Sequence, residues 1–130
     1  MRDEPDALGL LAVARETLLG ELMPLLPAER RYDALLIASA MAAAAREIEA
    51  GGAPLREELD GLARLLDLDP AALTPADLPR LNARLAAEIR AGAHDRPGPA
   101  RAALAAHLKA ATVRKLRETN PKYLAAEGLG

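Results

Sequence analysis

The chain has no cysteine, tryptophan or phenylalanine, and only two tyrosines among its 130 residues. Without cysteine there are no disulfides, no thiolate nucleophiles and no sulfur-ligated metal sites. Without large rings the core must be leucine against leucine and leucine against alanine, with helix axes close together. Only nine residues are β-branched, so strands have little to be built from. Ser39 is the sole serine, and neither a strand-turn-helix elbow nor flanking glycines surround it, which excludes a serine hydrolase of the usual kind. The pair Gly51-Gly52 follows a helix-forming stretch instead of preceding one, so it is no phosphate loop. No stretch reaches the about 20 apolar residues of a membrane span.

What the chain does have is alanine (31) and leucine (25), 56 residues in all, and hence a strong local preference for helix. From Ala34 to Ala45 the run ALLIASAMAAAA contains one polar side chain, Ser39. A helix apolar on every side belongs inside other helices, so this segment is expected to be the central helix, with Leu36, Ala40 and Ala43 almost fully buried. At this length one domain, residues 1–130, is the natural count.

Proline and glycine mark the joints. Pro5 fits the first turn of a first helix, with Asp3, Glu4 and Asp6 at the positive end of its dipole, and Pro24 and Pro27 end it. The second helix spans about Ala28 to Ala50 and stops at Gly51-Gly52. Pro54 opens a third, with Leu55, Leu59, Leu62 and Leu66 in a regular seam. Thr74-Pro75-Ala76-Asp77 is a helix start signal for a fourth helix that runs to about Ala91 and turns Leu78, Leu81, Leu85 and Ile89 inward. The segment GAHDRPGP reads as a surface loop. A fifth helix runs from about Pro99 to Thr119, its inner face carrying Ala100, Leu104, Leu108, Ala111, Val113 and Leu116. Asn120-Pro121 stops it, and residues 125–130 are expected to fray. The fold class is therefore all-α, a single-domain bundle of about five helices.

Few constellations carry chemistry. His94 sits beside Asp95 in the loop, where a carboxylate could fix one imidazole tautomer; the alternative is a surface histidine with no further role. His107 has no ligand one turn away, and the paired Glu/His spacings of bundle metal sites do not occur. No catalytic residue, metal or cofactor is expected. Charge is unevenly spread: residues 1–95 carry net −7, and residues 96–130 net +5. Without stacking aromatics the basic end points to a protein partner in preference to nucleic acid. The acidic N-terminal stretch does not resemble a secretory signal, so a cytoplasmic location is expected, with no membrane partner. Arg15 falls on an apolar stripe, and Arg46-Glu47 closes the apolar run. These charges, with Glu21, pair across helices to fix register, or else line a small polar pocket at one end of the bundle.

Two segments together resemble a known group. The stretch RDEPDALGLLAVARETLLGELMPLLP with RRYDALLIASAMAAAAREIE, and the C-terminal TVRKLRETNPKY, are similar to a bacterial family of small helical proteins of unknown function. Its motif positions fall on Pro5, Glu21, Pro24, Arg46, Glu47, Asn120, Pro121 and Tyr123, and an asparagine of the second helix is replaced here by Ser39 or a neighbouring alanine. Members are often encoded beside aminoglycoside-phosphotransferase-like kinases and acyl-CoA dehydrogenases. The resemblance implies an accessory role, with no assigned catalytic residues. The expected polar pocket is thus Glu21, Arg46, Glu47, Asn120 and Tyr123, the tyrosine ring docking on the first or second helix. The expected function is a non-catalytic interaction module that self-associates or binds a protein partner. Leu10, Leu36, Leu65, Leu68 and Leu73 lie off the main stripes as candidate contact residues. The competing expectation is a small-molecule binder or enzyme using the polar pocket.

Overall fold

A computed structural model describes residues 4–129, so the expectation for Asp3 lies outside the described residues. The described chain is all-α: α1 (Ala7–Thr17), α2 (Ala28–Ala50), α3 (Ala53–Leu65), α4 (Leu78–Arg90), α5 (Pro99–Thr119) and α6 (Pro121–Ala126). Among the described residues there is no strand, and no helix is long and apolar enough to cross a membrane.

Local chemistry sets the boundaries. Asp6 caps α1 by accepting from the Gly9 N–H at 2.9 Å, so Pro5 precedes the helix instead of lying in its first turn. Past Thr17 the helix widens into a π-turn, Leu18–Leu22, and then tightens into a 3-10 turn, Met23–Leu25, at Pro24. α2 has the expected span and stops at Gly51, whose positive φ of 62°, with ψ of −145°, is a conformation that glycine alone accepts without strain. Thr74 and Asp77 form a capping box, in which the Asp77 carboxylate accepts from the Thr74 N–H at 2.9 Å. A 3-10 turn, Pro75–Asp77, then leads into α4. Pro121 ends α5 and starts the short α6. α6 closes in a Schellman turn: Leu129 N–H donates to the Leu124 carbonyl at 2.9 Å and Gly128 N–H to the Ala125 carbonyl at 3.2 Å.

The helices gather into two compact units: residues up to Gly51 with Glu118–Pro121, and Gly52–Arg117 with the residues from Lys122 onward. The second unit holds the leucine core. Leu59, Leu62, Leu66, Leu78, Leu81, Leu85 and Leu104 are buried together, and Leu65, Leu68 and Leu73 pack on them. These last three, expected as contact residues, therefore complete the core.

In the first unit α1 packs along α2. Here the expectation that Leu36, Ala40 and Ala43 are almost fully buried is corrected. α2 buries only Ala34 and Ala38, while Leu36 stays 51% exposed, Ala40 is exposed and Ala43 half-buried. The physical reason is that alanine has both the highest helix propensity and little apolar area, so an alanine-rich run can be continuous helix without being enclosed. Ile89 and Leu108, expected to face inward, are also partly exposed. On α5 the buried stripe runs through Leu104 and His107.

Candidate functional site

The first unit contains a groove of about 800 Å³ between α1 and α2. Leu8, Leu11, Leu19 and Met41 give it apolar walls, and Arg15, Glu16 and Arg46 give it charge. Both arginines are held by main-chain carbonyls. Arg15 Nε donates to the Ala38 carbonyl at 3.2 Å, and Arg46 Nε to the Glu118 carbonyl at 2.6 Å. The second bond satisfies a carbonyl in the last turn of α5 that no helix partner can reach, and it brings a cation to the negative end of the dipole. Each guanidinium keeps its terminal nitrogens for other partners.

Of the expected pocket residues, Arg46 alone lines this groove. Glu21 lies exposed in the π-turn, and Glu47 is exposed at the end of α2, its carbonyl accepting from the Gly51 N–H. Asn120 is exposed at the break between α5 and α6. Tyr123 is 48% exposed. The residue that α6 buries is its neighbour Leu124, at 1%. A helix of six residues buries one stripe, and leucine has taken it. Ser39 is exposed on α2. His94 meets Glu88, not Asp95, with Nε2 3.5 Å from the carboxylate.

A second, smaller hollow of about 370 Å³ lies within the second unit. Two stripes line it. On α3 they are Glu57, Gly61, Arg64 and Leu65, one and two turns apart; on α5 they are Ala103, Ala106, His107, Ala110 and Arg114. His107 is 9% exposed and fits because Gly61 has no side chain: a Cβ there would lie 2.5 Å from the imidazole Nδ1. Arg114 stands 3.7 Å from the Glu57 carboxylate. Burial pushes the His107 pKa below the usual imidazole value, and Arg114 adds to this, against a smaller opposing effect of Glu58. Elsewhere, the hydrogen bond from the Thr74 N–H, with Arg80, holds the Asp77 carboxyl below its usual range.

That His107, Arg64 and Arg114 line one hollow does not follow from their spacing in the sequence. A signal was present: His107 falls one turn after Leu104 on the buried stripe, and Gly61 interrupts an otherwise good helix without ending it.

No curated protein and no solved structure matches the chain. A family model does match, over residues 24–123, which include Pro24, Arg46, Glu47, Asn120, Pro121 and Tyr123 but not Pro5 or Glu21. Its description is Domain of unknown function (DUF6285), and with that match over most of its length the chain belongs to this family.

Proposed function

We propose that the protein is a non-catalytic interaction module that self-associates and docks on a partner enzyme, of the kinase-like or acyl-CoA dehydrogenase-like kind that the family resemblance implies. The observation that carries this reading is the apolar surface of α2, where Tyr32 is 67% exposed and Leu35, Leu36 and Ile37 about half exposed. Leu10 and Val13 of α1 add to the apolar surface of the same unit. Burying the exposed half of each such aliphatic side chain is worth roughly 1 kcal/mol, so a few together support association. Sedimentation velocity over a range of concentrations tests it. The wild-type chain is expected to sediment above monomer mass as concentration rises, and Leu36→Glu with Ile37→Glu to remain monomeric at unchanged helicity. A wild-type chain that stays monomeric, and is not retained by immobilised enzymes of either class, overturns the reading.

A second reading is a small-molecule binder in the cytoplasm, supported by the groove in which Arg15 and Arg46 project among leucines. In that reading Arg46, of the expected polar set, lines the groove and supplies its charge with Arg15. A thermal-shift screen against nucleotides, acyl-CoA thioesters and phosphorylated metabolites discriminates, because a ligand that binds only the folded state raises the melting temperature. Protection that Arg46→Ala abolishes would favour this reading.

A further inference from the structure

We propose that the hollow between α3 and α5 binds a phosphoryl oxyanion, such as that of a small phosphate monoester, through Arg64, His107 and Arg114. This site is separate from the α2 surface and from the groove that holds Arg15 and Arg46, and it stands whether or not either of those functions as proposed.

The argument starts from composition within the hollow. Two guanidinium groups and one imidazole share it with a single carboxylate, Glu57, whose side chain is 65% exposed. Glu57 meets Arg114 only at 3.7 Å, beyond good hydrogen-bond length, so it can turn to solvent and leave the fork to a better acceptor. The Arg114 side chain is 17% exposed, and among the described residues no carboxylate lies closer to it than Glu57. Alanine and glycine form the remaining walls, which keeps space open: the volume matches roughly a dozen waters.

The geometry of the donors selects the ligand class. A guanidinium presents a planar fork that takes two oxygens, so one arginine already saturates a carboxylate. Two forks and an imidazole N–H need a centre with more oxygens and more charge, which a tetrahedral phosphoryl dianion has. His107 is poised to respond. Among the described residues no hydrogen bond engages its ring, and the charges around it are Arg64 and Arg114 against Glu57 and Glu58. An anion bound between the arginines would offset their repulsion and raise the imidazole pKa.

The experiment follows the Cε1–H signals of the two histidines by NMR while inorganic phosphate, and separately phenyl phosphate, is added at constant ionic strength. His94, held near Glu88, serves as the internal reference. The expected result is a saturable shift of the His107 signal alone, with its titration midpoint moved to higher pH. Arg64→Gln and Arg114→Gln should each weaken binding by about tenfold, the equivalent of one charge-assisted hydrogen bond, whereas Arg96→Gln in the loop should not. Saturation by phenyl phosphate but not by phosphate would identify a monoester as the ligand. Sodium acetate should give no saturable shift. Parallel drift of both histidines, no saturation up to tens of millimolar with either probe, or equal affinity in folded Arg64→Gln and Arg114→Gln variants would each overturn the proposal.

Discussion

Gly61 and His107 occupy one space: the side chain that Gly61 lacks would sit 2.5 Å from Nδ1 and 2.9 Å from Cε1 of the imidazole. Glycine in a helix interior costs about 0.5–1 kcal/mol relative to alanine, so its presence in α3 is offset by the ring that it admits. Gly61→Ala should therefore destabilise, since overpacking costs about 1–3 kcal/mol against the smaller gain in helix propensity. In a His107→Ala background the same substitution should change sign and stabilise by up to about 1 kcal/mol. Chemical denaturation of the four proteins of this cycle measures the reversal. A Gly61→Ala effect of the same sign and size in both backgrounds would separate the two residues.

The lowered His107 pKa gives stability a definite pH dependence. Because the folded imidazole titrates below the ordinary histidine value of 6.5, the unfolded chain binds more protons just under that pH, and stability falls with falling pH through that window. The Asp77 carboxyl, also lowered, acts in a separate window below the usual value of 3.8. Urea midpoints at pH of about 7.5 and about 5.5 should differ for wild type and converge for His107→Asn. An equal difference in both proteins would assign the loss to other groups.

Helix positions, and what each helix buries, were legible to different degrees. The ends of α2 and α5 follow from Gly51, Pro99 and Asn120-Pro121, whose backbone preferences act within a few residues and need no tertiary partner. The leucine seam of α3 and α4 was legible because heptad-like spacing fixes a face. The surroundings of α2 were not, since twelve nearly uniform apolar residues carry no periodicity that marks one face from another. The hollow at His107 was equally hidden, because it depends on Gly61 and His107 meeting across 46 positions of sequence.

The α1–α2 contact supplies a direct check on the burial of α2. Ala38 is 2% exposed, and Ala40 lies on an exposed side. Ala38→Leu should cost about 1–3 kcal/mol by overpacking, and Ala40→Leu should melt within about 0.5 kcal/mol of wild type. Comparable losses at both positions would mean that α2 is enclosed after all.

Asp67 holds a φ of 53° just past α3, where the Leu68 N–H reaches back to the Ala63 carbonyl at 2.8 Å. This is the left-handed position of a helix-ending turn, and a residue with a Cβ is strained there by about 1 kcal/mol. Asp67→Gly should therefore stabilise, by up to about 1 kcal/mol, and Asp67→Val should destabilise by more. Thermal melts of the two variants check both signs; a stabilised valine variant would contradict the turn geometry.

The end of the chain tests which side chain anchors α6. Leu124 is 1% exposed, among the largest fully buried side chains, and its carbonyl also accepts the Leu129 N–H that closes the final turn. Tyr123, one position earlier, is 48% exposed. Leu124→Ala removes buried methyl groups and leaves a cavity, at a cost of about 2–5 kcal/mol. Tyr123→Ala should cost about 1 kcal/mol or less, as expected for a half-exposed ring. Truncation after Thr119 removes both residues and should match Leu124→Ala within about 1 kcal/mol, because a short isolated helix contributes little stability of its own. If Tyr123→Ala proves the costlier of the two single substitutions, the tyrosine is the anchor and the burial of Leu124 is incidental.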